Sequence, residues 1–129
     1  MRIRNHVAKW ASAMICSLWI LFNFVSAGHS TQYGKASWYA MTSLTASGER
    51  ASPHSMTVAH RSLRFGTRIR VTNLRNSQSV VLCVNDRGPF IKNRIVDVTK
   101  AAAQKLGFVQ SGWTDVSVDV VDRKSSRCN

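Results

Sequence analysis

Residues 79–90, S-V-V-L-C-V-N-D-R-G-P-F, constrain the fold more than any other segment of the chain. An apolar run from Ser79 to Val84 has no wet face, as expected of a strand buried in a barrel or sandwich. It ends abruptly in Asn85, Asp86 and Arg87, and Gly88-Pro89 then stops any strand. Such a sequence lifts one carboxylate, Asp86, out of a core beside an amide and a guanidinium. By the period of two, Val80, Leu82, Val84 and Asp86 share one face, with Asn85 and Arg87 on the other unless the turn rotates them.

The rest of the chain reads mostly as short strands. Gly34 to Ala40 is a first strand. Thr67 to Leu74 alternates Ile69 and Val71 with Arg68, Arg70 and Thr72, a strand with one wet face. Arg75-Asn76-Ser77-Gln78 supplies turn residues, so a hairpin joins this strand to Ser79–Val84. Arg94 to Val98 is a further strand. Thr99 can cap a helix over residues 100–106, with Gly107 as its stop. At about two turns, that helix depends on packing. Val116, Val118 and Val120 mark a last strand. Five or six short strands with one or two short helices fit a closed barrel best, since closure removes exposed edges.

The N-terminus has another purpose. Arg2, Arg4 and Lys9 precede an apolar stretch from about Trp10 to Val25, followed by Val25-Ser26-Ala27. This is the pattern of a secretory signal, residues 1–27, cleaved after Ala27. The competing reading is an uncleaved membrane anchor, but Ser12, Ser17 and Asn23 interrupt a stretch already short for a span of about 20 residues. Cys16 follows Ala13-Met14-Ile15, a poor lipidation site, so no lipid anchor is expected. Residues 28–33 form a short linker, 34–121 one domain and 122–129 a flexible tail. Removing 27 of the 129 residues takes three basic groups and no acids, and lowers the formal charge from +12 to +9. Such a charge favours polyanionic partners, and an exported protein meets cell-envelope polymers first. Nucleic acid is not expected, because the basic residues are scattered and no recognition helix or aromatic-interleaved basic strand is present. Nothing suggests stable membrane insertion after cleavage, and a monomer is expected. Export permits a disulfide between Cys83 and Cys128, although Cys83 could equally serve as a small hydrophobe. No Cys or His spacing suits zinc, and no metal or other cofactor is expected.

Of the acids, Asp115 and Asp119 sit on a wet strand face and Asp122 in the tail. Glu49, Asp86 and Asp97 remain. Asp86 can serve as a proton donor or as a structural acceptor for turn amides. Asp97 reads as the start of the turn into the helix, accepting from amides there. Glu49 lies in T-A-S-G-E, a loop of small residues. His60 closes M-T-V-A-H and by itself suggests a structural hydrogen-bonder. Trp38 and Tyr39 face opposite sides of a strand, so one packs inward while the other could stack on a sugar face.

Six segments occur in one order: G-K-A-S-W-Y (34–39), T-A-S-G-E (45–49), M-T-V-A-H (56–60), L-R-F-G-T-R-I-R-V-T-N-L (63–74), V-N-D-R-G-P-F (84–90) and R-I-V-D-V-T-K-A-A-A-Q-K-L-G (94–107). Together they resemble the double-psi beta-barrel domain of the rare lipoprotein A family, lytic transglycosylases of bacterial peptidoglycan. The resemblance implies a mainly β, six-stranded double-psi barrel with one or two short helices, exported to the periplasm. It implies cleavage of peptidoglycan glycan strands between N-acetylmuramic acid and N-acetylglucosamine, with a 1,6-anhydro end and no cofactor. Asp86 matches the family aspartate as acid/base, Glu49 the second catalytic carboxylate, and His60 a group that orients one of them. Asn85, Arg87, Tyr39 and Asp97 would contact substrate.

The chain departs from the family pattern before Thr45, where Ala40-Met41-Thr42-Ser43-Leu44 is short and lacks an F-H-G element that would help wall the groove. Arg64 stands where proline is common. The family's C-terminal peptidoglycan-binding repeat has no counterpart in the sequence. The second reading is therefore a barrel that binds cell-wall polysaccharide without cutting it, as expansin-like and barwin-like proteins do.

Overall fold

The computed structural model describes residues 30–123 and 125–128. The expected signal, residues 1–27, lies outside them. Six strands and one helix follow in order: β1 (Gln32–Tyr39), β2 (Thr57–His60), β3 (Arg68–Asn73), β4 (Ser79–Asp86), β5 (Arg94–Thr99), α1 (Lys100–Leu106) and β6 (Trp113–Asp122). The strands close into a barrel in the order β1-β5-β2-β4-β3-β6. The β1·β5 and β2·β4 pairs are parallel and the other four are antiparallel. This is the six-stranded double-psi barrel expected from the motifs.

Alternation along each strand fills the barrel. Ala36, Val58, Ile69, Val71, Leu82, Val84, Val96, Val98, Val116 and Val118 point inward and are almost wholly buried. The β-branched residues among them suit a crowded pleated interior. Helix α1 closes one side with Ala102, Ala103 and Leu106. Its caps are those read from the sequence. The Thr99 side chain accepts from the Ala102 amide, and Gly107 turns left-handed at φ 77° to end the helix.

Three local readings change. Strand β1 begins at Gln32 and β6 runs to Asp122, because the two pair antiparallel from Gln32↔Val118 to Ser37↔Trp113. Asp97 does not start the turn into the helix. It lies within β5, which pairs with β1 as far as Thr99 and with β2 as far as Val98, so Thr99 alone takes the capping position. The chain end, expected to be a flexible tail, is covalently tied: Cys128 is bonded to Cys83 of β4. Ser125 lies against Gly66, where an added Cβ would stand 1.9 Å from the Ser125 carbonyl oxygen. Residues 125–128 thus strap the loop before β3.

Candidate active site

A register shift between Val58 and Ala59 lets β4 extend past its regular pairing and sets Asp86, not Asn85, beside Ala59. Asp86 therefore ends β4 part-buried, while Asn85 is 2% exposed. The T-A-S-G-E loop folds over this strand end. The Ala46 amide donates to Asp86 Oδ1 at 2.9 Å, and the Arg87 amide donates to the same oxygen at 2.9 Å. The Ser47 amide donates to the Asn85 carbonyl at 3.2 Å. The loop itself is tight: the Thr45 amide and hydroxyl both donate to the Glu49 carbonyl, and Gly48 turns at φ 85°. Both amide bonds fall on Oδ1, which leaves Oδ2 as the oxygen able to carry a proton.

The same loop brings Glu49 to Asp86's neighbour. Asn85 Nδ2 donates to Glu49 Oε2 at 3.4 Å, a long contact. The Cys128 amide donates to Glu49 Oε1 at 2.9 Å. Two carboxylates distant in sequence are thus held through one buried amide residue and one loop. A cleft of about 490 Å³ opens here, lined by Ser47, Gly48, Glu49, Phe65, Ser126 and Arg127.

Asp97 of β5 lies two strands from Asp86, with Ala59 of β2 between them, and Tyr39 is close enough to feel both charges. The Tyr39 hydroxyl is shielded from water. Thr57 is its near neighbour without closing a hydrogen bond of ordinary geometry. Burial pushes the phenol up to about 12; Thr57 acts against this, and the charges of Asp86 and Asp97 add to it. Tyr39 is therefore a neutral O–H donor at any physiological pH. Its partner Trp38 packs against the core, as the alternation required, with its indole N–H donating to the Val109 carbonyl at 3.2 Å. The Asp97 carboxylate accepts from the Ser37 hydroxyl and from Arg94 at 3.0 Å.

The remaining predicted residues sit differently. His60 is 4% exposed, and its ring bonds go to neither carboxylate. Nδ1 accepts from the amides of Ser62 and Leu63, both at 3.1 Å, and Nε2 faces Gln32 Oε1 at 3.0 Å. These partners require Nδ1 bare and Nε2 protonated. Burial lowers its pKa, and Arg87 and Arg61 lower it further. Arg87 turns its guanidinium from the carboxylates onto the Phe65 ring, 4.0 Å from the centroid, and donates to the carbonyls of His60 and Leu63 at 3.2 and 2.8 Å. It holds the wall of the cleft. Among the described residues, no three His, Cys, Asp or Glu side chains gather as a metal ligand set.

Sequence reasoning missed Arg61, Ser37 and the strap. Arg61 donates to the carbonyls of Pro89, Ile91 and Arg94 at 2.6, 3.0 and 2.8 Å, and so fixes the loop that follows Asp86. The period of two in β1, which puts Lys35, Ser37 and Tyr39 on one face, was the available signal for Ser37. Nothing local marks Arg61 or residues 125–128.

A family model described as "Lytic transglycolase" matches residues 31–118. The chain is 43% identical over 122 residues to a "Probable endolytic peptidoglycan transglycosylase RlpA" of Nostoc, covering 95% of this chain and 32% of that protein. It is 49% identical over 94 residues to the "Endolytic peptidoglycan transglycosylase RlpA" of Neisseria meningitidis serogroup A, covering 70% and 39%. Its Vibrio cholerae counterpart is 46% identical over 94 residues, covering 70% and 36%. The chain thus spans about a third of the length of these relatives. Among solved structures, the Streptomyces papain inhibitor superposes with a TM-score of 0.62 at 20% identity, covering 72% of this chain and 96% of that one. An expansin of Clavibacter michiganensis superposes at 0.59 with 22% identity, covering 74% and 52%. At such identities these two speak for the fold alone.

Proposed function

The chain belongs to the rare lipoprotein A family of lytic transglycosylase double-psi barrels, and on that premise we propose that it cleaves peptidoglycan glycan strands at the bond from N-acetylmuramic acid to N-acetylglucosamine. The supporting observation is the pairing of Asp86 and Glu49 by the 45–49 loop.

In this reading Asp86, protonated on Oδ2, gives its proton to the bridging oxygen as the muramyl C1–O bond breaks. The muramyl 6-hydroxyl then bonds to C1, and its proton returns to Asp86. The product is a 1,6-anhydromuramyl end, with no water consumed and the acid regenerated. Glu49, held by Asp86's neighbour Asn85, is the charge that offsets the oxocarbenium-like carbon. The neutral Tyr39 hydroxyl, shielded in the unbound protein, is uncovered as the strand binds and donates to a sugar oxygen. Asn85 holds Glu49, while Arg87 and Phe65 form the wall. Asp97 sits on the further side of the groove, where its contact with substrate would be to a neighbouring sugar. His60 acts at a distance by fixing residues 60–63 on which Arg87 rests.

The domain acts outside the cytoplasm, with residues 1–27 as its export signal, and works as a monomer without membrane insertion. No helix among the described residues is long and apolar enough to cross a membrane. Incubation of the protein with purified glycan strands, followed by mass spectrometry, tests the activity. Anhydromuramyl ends support the enzyme. Binding to the strands with no such product would instead identify a polysaccharide-binding barrel.

A further inference from the structure

The register of the barrel places five residues from five neighbouring strands in one transverse row. Trp113 of β6 pairs with Ser37 of β1. Ser37 pairs with Asp97 of β5, Asp97 with Ala59 of β2, and Ala59 with Asp86 of β4. Four inter-strand steps make the row about 19 Å long. Its members face outward, since Ala36, Val58, Val96 and Val98 beside them fill the core. Ala59 and Ser37 within the row are covered, at 3% and 7% exposure, so the row opens at its ends.

A cleft lies at each end of this row. Glu49 lines the first, beyond Asp86. The second, of about 470 Å³, lies at the Trp113 end and is lined by Lys35, Ser37, Trp38, Arg94, Gly112 and Trp113. We infer that this second cleft is a distal subsite that binds a sugar carrying a carboxylate, several units from the bond that is cut. The inference rests on the reading of Asp86 as the reacting acid.

Three features give the cleft this chemistry. Two indoles border it, and Trp113 is 40% exposed, offering an apolar plane to the C–H face of a pyranose. Gly112 has nothing within 4 Å of where a Cβ would stand, so the chain before Trp113 leaves open space. The charged groups lining this cleft are the cations Lys35 and Arg94; in the adjoining cleft Arg61 joins them, together with one carboxylate, Asp115, which Arg75 pairs at 3.8 Å. Arg94 spends one arm on Asp97, while its Nε is shielded from water and meets no acceptor among the described residues. Lys35 rests on the Trp113 ring, 4.4 Å from the centroid, and Arg75 lies 4.3 Å from it. A cation on an exposed ring is held weakly. A sugar can displace the flexible lysine, whose ammonium then remains in the same cleft to meet the carboxylate. Along a glycan strand every second sugar, the muramyl unit, carries that group.

Binding of peptide-free strands of four and eight sugars is measured by calorimetry in the Asp86→Asn background, which prevents turnover. The parent should bind the longer strand more tightly, and Trp113→Ala should remove that gain, about tenfold. Trp113→Phe should keep part of it, which separates stacking from a folding defect. Chitin oligosaccharides of the same lengths, which lack carboxylates, should show little gain. Peptide-bearing strands run alongside show whether the lactyl or the peptide carboxylate is read. An undiminished length dependence in Trp113→Ala overturns the subsite, and an equal gain with chitin overturns its ligand class. If the parent binds no glycan at all, the proposed function itself falls.

Discussion

The main-chain amide of Cys128 donates a 2.9 Å hydrogen bond to Glu49 Oε1, and the same residue is bonded through sulfur to Cys83 of β4. One carboxylate of the proposed pair is thus positioned by the far end of the chain. Separating the two cysteines by Cys128→Ser, or by a thiol reductant, should lower stability by about 2–4 kcal/mol, since the bridge closes a long loop in the unfolded chain. It should also lower kcat more than it raises KM, because Glu49 loses a fixed orientation. Denaturant unfolding and steady-state turnover check the two parts. A stable, reduced protein with full kcat would show that the strap leaves Glu49 untouched.

Tyr39 offers a donor that stays neutral. With its phenol pushed up to about 12, Tyr39→Phe should remove the high-pH step from a spectroscopic tyrosine titration. It should cost about two- to tenfold in kcat/KM, the worth of one neutral hydrogen bond to substrate. An unchanged kcat/KM would remove the hydroxyl from the mechanism.

His60 has a folded-state pKa lowered by burial and by Arg87 and Arg61. The unfolded chain therefore takes up the proton first as pH falls. The stability due to a neutral His60 is complete above about pH 6.5 and declines below it. Unfolding midpoints measured from pH 8 to pH 5 should show this decline, and His60→Gln should flatten it. A wild-type curve that stays level below pH 6.5 would contradict the assigned proton positions.

Leu82 stands wholly inside the barrel. Leu82→Ala should destabilise by about 2–5 kcal/mol, through lost transfer energy and the cavity left behind. Chemical denaturation measures it, and a loss below about 1 kcal/mol would mean that the barrel repacks freely.

Local rules carried much of the architecture. The strand alternation around Ile69 and Val71, the Thr99 cap and the Gly107 stop are all short-range signals, and the structure places each element as they indicate. Asp97 was misplaced for the opposite reason. Its strand continues because β1 and β2 flank it, and partner strands leave no mark on the sequence beside it. The same holds for the row from Trp113 to Asp86, which exists only through strand order. Asp86 and Glu49 were legible as residues because their segments are ordered as in the family. That the extra residue Asn85 in β4 would set Asp86 beside Ala59, and that Asn85 would bridge to Glu49, depends on contacts across dozens of residues.

The central claim is that Asp86 moves the proton. The most direct test compares wild type with Asp86→Asn on purified glycan strands, counting anhydromuramyl ends by mass spectrometry. The amide is nearly isosteric but cannot supply an acidic proton. The variant should keep the wild-type unfolding midpoint and lose about 10²–10⁴-fold in rate. A folded Asp86→Asn that forms anhydromuramyl ends at the wild-type rate would contradict the account.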